Sequence, residues 1–168
     1  MVITLDQILP SVAGMPRIAL TAHDSKKQDL LELLNEHLQL LKSSCLVATH
    51  GTGVLLAVNL GLFLTLVKSG PMGGDQEIGA LIAKGKLDAV IFLRDALAAQ
   101  AHEPDISALL RLCDAHNVPL ATNLATARAV LAHILAPLAR KRNKAGPCSV
   151  LASLAGAEAV SGGNRGYG

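Results

Sequence analysis

The sequence predicts an α/β domain of three layers, α/β/α, built around a doubly wound parallel sheet of five strands. Short apolar runs alternate with stretches whose leucines recur at helical spacing. The runs are apolar at every position rather than at every second one, as in strands covered on both faces. The unusual polar clusters all fall just after an apolar run, at the carboxyl ends of the strands, where sheets of this class hold their ligands. A chain of 168 residues at 51% hydrophobic can bury such a core as one domain.

Residues 1–16 form an N-terminal extension that lacks the basic and apolar segments of a secretion signal. Residues 17–22 read as a buried strand ending at His23-Asp24-Ser25, and Leu30, Leu31, Leu33, Leu34, Leu38 and Leu41 then recur at roughly helical spacing. A second strand, 45–48, closes on a loop, Thr49-His50-Gly51-Thr52-Gly53, before a short helix over 54–59 and a third strand over 62–67. Next comes Ser69-Gly70-Pro71-Met72-Gly73-Gly74-Asp75-Gln76, whose glycines let backbone N–H groups approach a ligand closely. The helix it opens runs from Asp75 to residue 84. Strand four spans 88–93 and a loop runs from Arg94 to Pro104. A helix over 106–115, a fifth strand over 118–121 and a last helix over 125–135 complete the domain, 17–135. Beyond Pro137 the pattern dissolves into basic and then small residues, so 136–168 is expected to be a flexible tail.

Composition excludes several classes of function. The net charge of +2 hides an asymmetry: 136–168 holds five basic residues against one acid, leaving a mildly acidic body. At 2% aromatic, the chain lacks stacking platforms for bases, and no nucleic-acid partner is expected. Its most apolar stretch, 54–67, carries Asn59 and Gly61 and is too short for a bilayer, so no membrane partner is expected. Cys45, Cys113 and Cys148 are too scattered for a disulfide framework or a zinc motif, and no metal is expected. A reducing, cytoplasmic compartment fits.

Three clusters carry chemistry. In the first, His23 and Asp24 precede Lys27, which either reaches a phosphate at the helix start or opens a solvated helix. The second, Thr49 to Gly53, offers two hydroxyls and freed amides, a donor-rich loop suited to a phosphate that only accepts hydrogen bonds. It lacks the spacing of a nucleotide P-loop, and His50 within it either faces a ligand or turns away. Asp75, after the glycine loop, is either a helix cap or a catalytic carboxylate. In the third cluster, Asp95 and His102-Glu103-Pro104-Asp105 set a histidine among carboxylates, the makings of a general acid or base, with Asp105 also capping a helix. His37, His116 and His133 read as surface or boundary residues, and no pair of histidines has metal-ligand spacing.

Together these stretches resemble the methylglyoxal synthase family. The resemblance is carried by Ala22-His23-Asp24 with Lys27, Ala48-Thr49, the Ser69–Gln76 motif, Asp95 with His102, Pro104 and Asp105, and Ala121-Thr122-Asn123-Leu124-Ala125-Thr126-Ala127. It runs from about Arg17 to Leu135 and implies a flavodoxin-like sheet. The implied activity is conversion of dihydroxyacetone phosphate to methylglyoxal and inorganic phosphate, without metal or organic cofactor. The resemblance also implies a cytoplasmic homohexamer sensitive to phosphate. Asp75 would be the base, with His102 at the substrate carbonyl and Asp24, Asp95 and Asp105 as supporting carboxylates. His23, Lys27, Thr49, Thr52, Ser69 and Gly70 would bind the substrate and its phosphate. The chain departs from the family's Thr-Gly-Thr-Thr-Gly pattern at His50 and Gly51, losing a hydroxyl and gaining an imidazole, and it does not match beyond Leu135. A second reading, a non-catalytic effector-binding module of the same fold, would keep a phosphate site but have no use for Asp75, His102 and Asp105 together.

Overall fold

The computed structural model describes residues 14–144, with side chains through residue 140. Most of the expected extension, 1–13, and residues 145–168 of the expected tail lie outside the described residues. Cα packing divides the chain at Pro137, and the sheet and cleft described below belong to the unit ending at Ala136.

Five strands form one sheet: β1 (Arg17–Ala22), β2 (Cys45–Thr49), β3 (Thr65–Val67), β4 (Ala89–Leu93) and β5 (Leu120–Ala121). All pairs are parallel and the order is β3-β2-β1-β4-β5. The three-layer class is the one expected. The order itself, which periodicity does not reach, puts β1 at the centre, where flavodoxin has its third strand. Every residue of β4, and every residue of β1 after Arg17, is buried, which is why neither run alternates. The chain runs from β1 to β3 with its helices on one face, then back to β4 and β5 with helices on the other, as right-handed crossovers require. Thus α1 (Lys27–Glu36) packs on α3 (His50–Leu60), and α4 (Gly74–Ala83) packs on α5 (Glu103–Ala115).

With so few aromatics the core is aliphatic. Ala19, Val47 and Val90 from the strands meet Ile78 and Leu81 of α4 and Ile106 and Leu109 of α5, with Phe92 among them. Cys113 lies in the same cluster, where burial pushes its thiol up to about 11, as befits an inert core residue.

Several boundaries depart from the sequence reading, each for a local reason. The helix read across 30–41 is two, α1 and α2 (Leu38–Leu41), because the chain tightens at His37, whose N–H bonds Leu34 O three residues back. Residues 50–53 are not a loop but the first turn of α3, with Thr49 as the cap position. Gly53 serves packing there, since a Cβ would lie 2.2 Å from Leu66 Cδ2 on the edge strand. α5 begins at Glu103 rather than at residue 106, with Pro104 in the first turn, where its missing N–H costs no helix hydrogen bond. α6 (Leu124–Lys144) continues through Pro137, past the end that proline suggested.

Candidate active site

A cleft of about 290 Å³ opens at the carboxyl ends of β1, β2 and β4. It straddles the switch between β1, from which the chain winds one way, and β4, from which it winds the other.

One wall carries a carboxylate and an imidazole. The chain turns tightly after β3: Gly74 N–H donates to Ser69 O at 2.9 Å, and a Cβ on Gly74 would lie 2.0 Å from Lys68 O. Gly73, at φ 98°, holds the left-handed conformation that a side chain would strain. This turn sets Asp75 at the second position of α4, where it caps nothing with its side chain. Asp75 is 2% exposed, and its Oδ2 has no hydrogen-bond partner in the protein. His102, at the cap position of α5, brings Nε2 to 3.5 Å from that oxygen. Burial pushes the Asp75 carboxyl above the usual carboxylate range, an effect that His102 opposes and Asp105 reinforces. A buried carboxylate of raised pKa beside an imidazole is suited to taking and returning a proton.

The opposite wall is rich in donors. Lys27, at the start of α1, pairs with Asp24 at 2.6 Å and leans over the first turn of α3; its Nζ lies 3.0 Å from where a Cβ on Gly51 would be. Ammonium and helix N-terminus thus face the same space, an arrangement that favours an anion. Asp24 is almost fully exposed, and the bond from Lys27 holds its carboxyl below the usual range. Its part is to hold the lysine rather than to move protons. Below them runs a line of hydroxyls. Thr49 Oγ1 lies 3.0 Å from Thr21 Oγ1 and donates to Thr52 Oγ1 at 3.3 Å, and Thr52 Oγ1 accepts Ala22 N–H at 3.2 Å.

Of the catalytic and binding residues that the family resemblance implies, all but Asp95 and Asp105 line this cleft. Asp95 turns its carboxylate back to accept Ser25 Oγ–H at 2.7 Å and Leu97 N–H at 3.1 Å. Asp105 lies in the first turn of α5, and its Oδ1 accepts Gln76 Nε2–H at 2.8 Å, so it reaches Asp75 only through its charge. His50 is exposed and is not among the residues that line the cleft. Gly51 lines the cleft too, and so do Thr21, Phe92 and Gln100, which had not been singled out. Thr21 had a signal, being a polar residue at the carboxyl end of a buried strand. Gln100 sits in a loop with no pattern to mark it. Among the described residues, no group of three His, Cys, Asp or Glu side chains could hold a metal ion.

Known proteins share this arrangement of sequence. A family model described as an MGS-like domain matches residues 29–122. A methylglyoxal synthase from Moorella thermoacetica is 56% identical over 118 residues, covering 70% of this chain and 92% of that protein. The chain belongs to the methylglyoxal synthase family. A second methylglyoxal synthase, from Natranaerobius thermophilus, is 53% identical over 119 residues, covering 71% of this chain and 99% of that protein. The crystal structure of methylglyoxal synthase from Elizabethkingia anophelis NUHP1 superposes with a TM-score of 0.66 at 41% identity, covering 73% of this chain and 81% of that one. Family membership accounts for the motif order from β1 to α6 that the sequence displayed.

Proposed function

We propose that this chain is a methylglyoxal synthase, a carbon–oxygen lyase that turns dihydroxyacetone phosphate into methylglyoxal and inorganic phosphate. The observation that carries this is the buried Asp75 carboxylate, 3.5 Å from His102 Nε2, facing a wall of hydroxyl groups and a lysine across one cleft. In the proposed reaction Asp75 removes a proton from the hydroxymethyl carbon beside the carbonyl. His102 donates to the oxygen on which charge develops. The resulting enediolate expels phosphate as its C–O bond breaks, leaving the enol of methylglyoxal, which takes a proton at carbon to become the product. Lys27, Thr49, Thr52, Ser69 and Gly70 would hold the phosphate so that the breaking bond stands perpendicular to the enediolate plane. His23 would bind the substrate, while Asp24, Asp95 and Asp105 support their neighbours. We assign this activity to residues 17–135 and need no cofactor for it.

Large apolar side chains stand exposed along α3 and the segment after it, with Val58 at 78% and Phe63 at 96%. That surface, beside the edge strand β3, supports a homo-oligomer, which by family resemblance is a hexamer. Among the described residues no helix is long and apolar enough to cross a membrane; that the enzyme is cytoplasmic and inhibited by phosphate rests on the family resemblance.

The test is phosphate release from dihydroxyacetone phosphate by purified protein in the presence of a chelator, with methylglyoxal measured alongside. Phosphate and methylglyoxal appearing in equal amounts is the expected result; no release, or release that the chelator abolishes, sinks the proposal. Lys27→Ala is expected to weaken substrate and inorganic phosphate about tenfold or more, as loss of one charge-assisted hydrogen bond implies. Unchanged inhibition by phosphate in that variant would remove Lys27 from the phosphate site.

A further inference from the structure

His23 is held by its backward-facing nitrogen. Its Nδ1 lies 2.9 Å from the main-chain nitrogen of Asp95. An amide N–H can only donate, so Nδ1 must carry the lone pair and the ring proton sits on Nε2. Nε2 is buried without a protein hydrogen-bond partner, on a residue that lines the cleft and is 8% exposed.

The bond to Asp95 is one of three that stitch the end of β1 to the end of β4. His23 N–H donates to Leu93 O at 3.0 Å on one side. On the other, Ser25 Oγ–H donates to Asp95 Oδ2 at 2.7 Å while Leu97 N–H holds Asp95 Oδ1. The ring is flanked by Phe92 and His102, edge-on, with centroids 5.2 and 6.2 Å away. We infer that Ser25 and Asp95 are positioning residues that hold His23 as the neutral Nε2–H tautomer, a hydrogen-bond donor to the second oxygen of the enediolate. The inference rests on the proposed reaction, whose intermediate has two oxygens on adjacent carbons, matching two imidazoles on one cleft.

Charge and geometry agree on the neutral form. Protonating Nδ1 would turn it against the Asp95 N–H and break the bond. Burial, His102 and Arg94 all lower the His23 pKa, while Asp95 and Glu103 oppose them more weakly; Asp24, next along the chain, is almost wholly exposed, and Asp75 lies in the cleft with it. A neutral imidazole can polarise a carbonyl, as in other enolising sites.

The decisive measurement is nitrogen NMR on the full chain labelled in histidine, with His23 identified by its loss in His23→Gln. A pyridine-like Nδ1 and a pyrrole-like Nε2 across the neutral range are expected. In Ser25→Ala the second tautomer should gain population, the titration midpoint should rise, and kcat should fall about tenfold at little-changed KM, as a loosened donor would give. His23→Asn keeps an acceptor for the Asp95 amide but no donor towards the cleft, and should lose about 10²-fold in kcat. His23→Gln, whose amide nitrogen lies near the Nε2 position, should recover part of that loss. A cationic His23 or a protonated Nδ1 in the wild type would overturn the inference. So would Asn and Gln variants impaired alike and chiefly in KM, which would mark a phosphate ligand. The spectra are read on free protein, so failure there is distinct from failure of the proposed activity.

Discussion

Asp75→Asn is expected to lower kcat about 10²–10⁴-fold, the range of a lost general base, with KM nearly unchanged and the fold intact. The substitution is nearly isosteric, and the atom it alters, Oδ2, makes no hydrogen bond in the protein. The same variant should be more heat-stable than the wild type at neutral pH, and the sign follows from the raised pKa. Burial favours the protonated carboxyl in the folded chain. As pH rises from the unfolded pKa towards the folded one, the unfolded state ionises first and gains stability. The folded protein therefore carries a cost that is complete above its own Asp75 pKa and vanishes below the unfolded value. Asparagine has no such cost, so the gain in Tm should shrink as the solution is acidified. In the wild type, kcat/KM should fall with acid through that same raised pKa. An Asp75→Asn enzyme with near-normal turnover would demote Asp75 to a structural residue.

The fold class was legible because β1 and β4 are buried on both faces and say so at every position. The strand order was not, since nothing local in 65–67 or 120–121 tells a short strand which neighbour it joins. The candidate site was legible where chemistry lies beside a turn: Lys27, Ser69 and Gly70 stand within a few residues of a strand's end, and Asp75 follows the glycine turn after β3. It was less so where function depends on where a side chain turns. Asp95 and Asp105 are expected as supporting carboxylates, and sequence does not tell that their oxygens turn to Ser25 and Gln76. The threonine segment, with two glycines that free its amides, reads as a loop, whereas Gly53 lies in a helix and is demanded by Leu66 on a strand later in the chain. Tertiary demands of this kind leave no mark on local periodicity.

Gly70→Ala is expected to leave a folded protein with kcat/KM lowered about 10²-fold, the scale on which a misplaced reacting group is felt. A Cβ at residue 70 would lie 3.0 Å from Asp75 Oδ2 and 3.0 Å from His102 Nε2. One methyl group would thus press on both atoms of the proposed proton-transfer pair, which are themselves only 3.5 Å apart. The backbone does not object, because Gly70 is not among the glycines of positive φ. Gly51→Ala supplies the control. Its Cβ would also meet an atom at 3.0 Å, but that atom is Lys27 Nζ, the free end of a flexible chain, which can withdraw by rotating. Gly51→Ala should therefore raise KM and weaken phosphate inhibition by a few fold while sparing kcat, since only the lysine is displaced. The two variants add the same group at the same contact distance, so their kinetics compare the atoms that are met. Equal losses of kcat in both would mean that residue 70 does not face the reacting atoms.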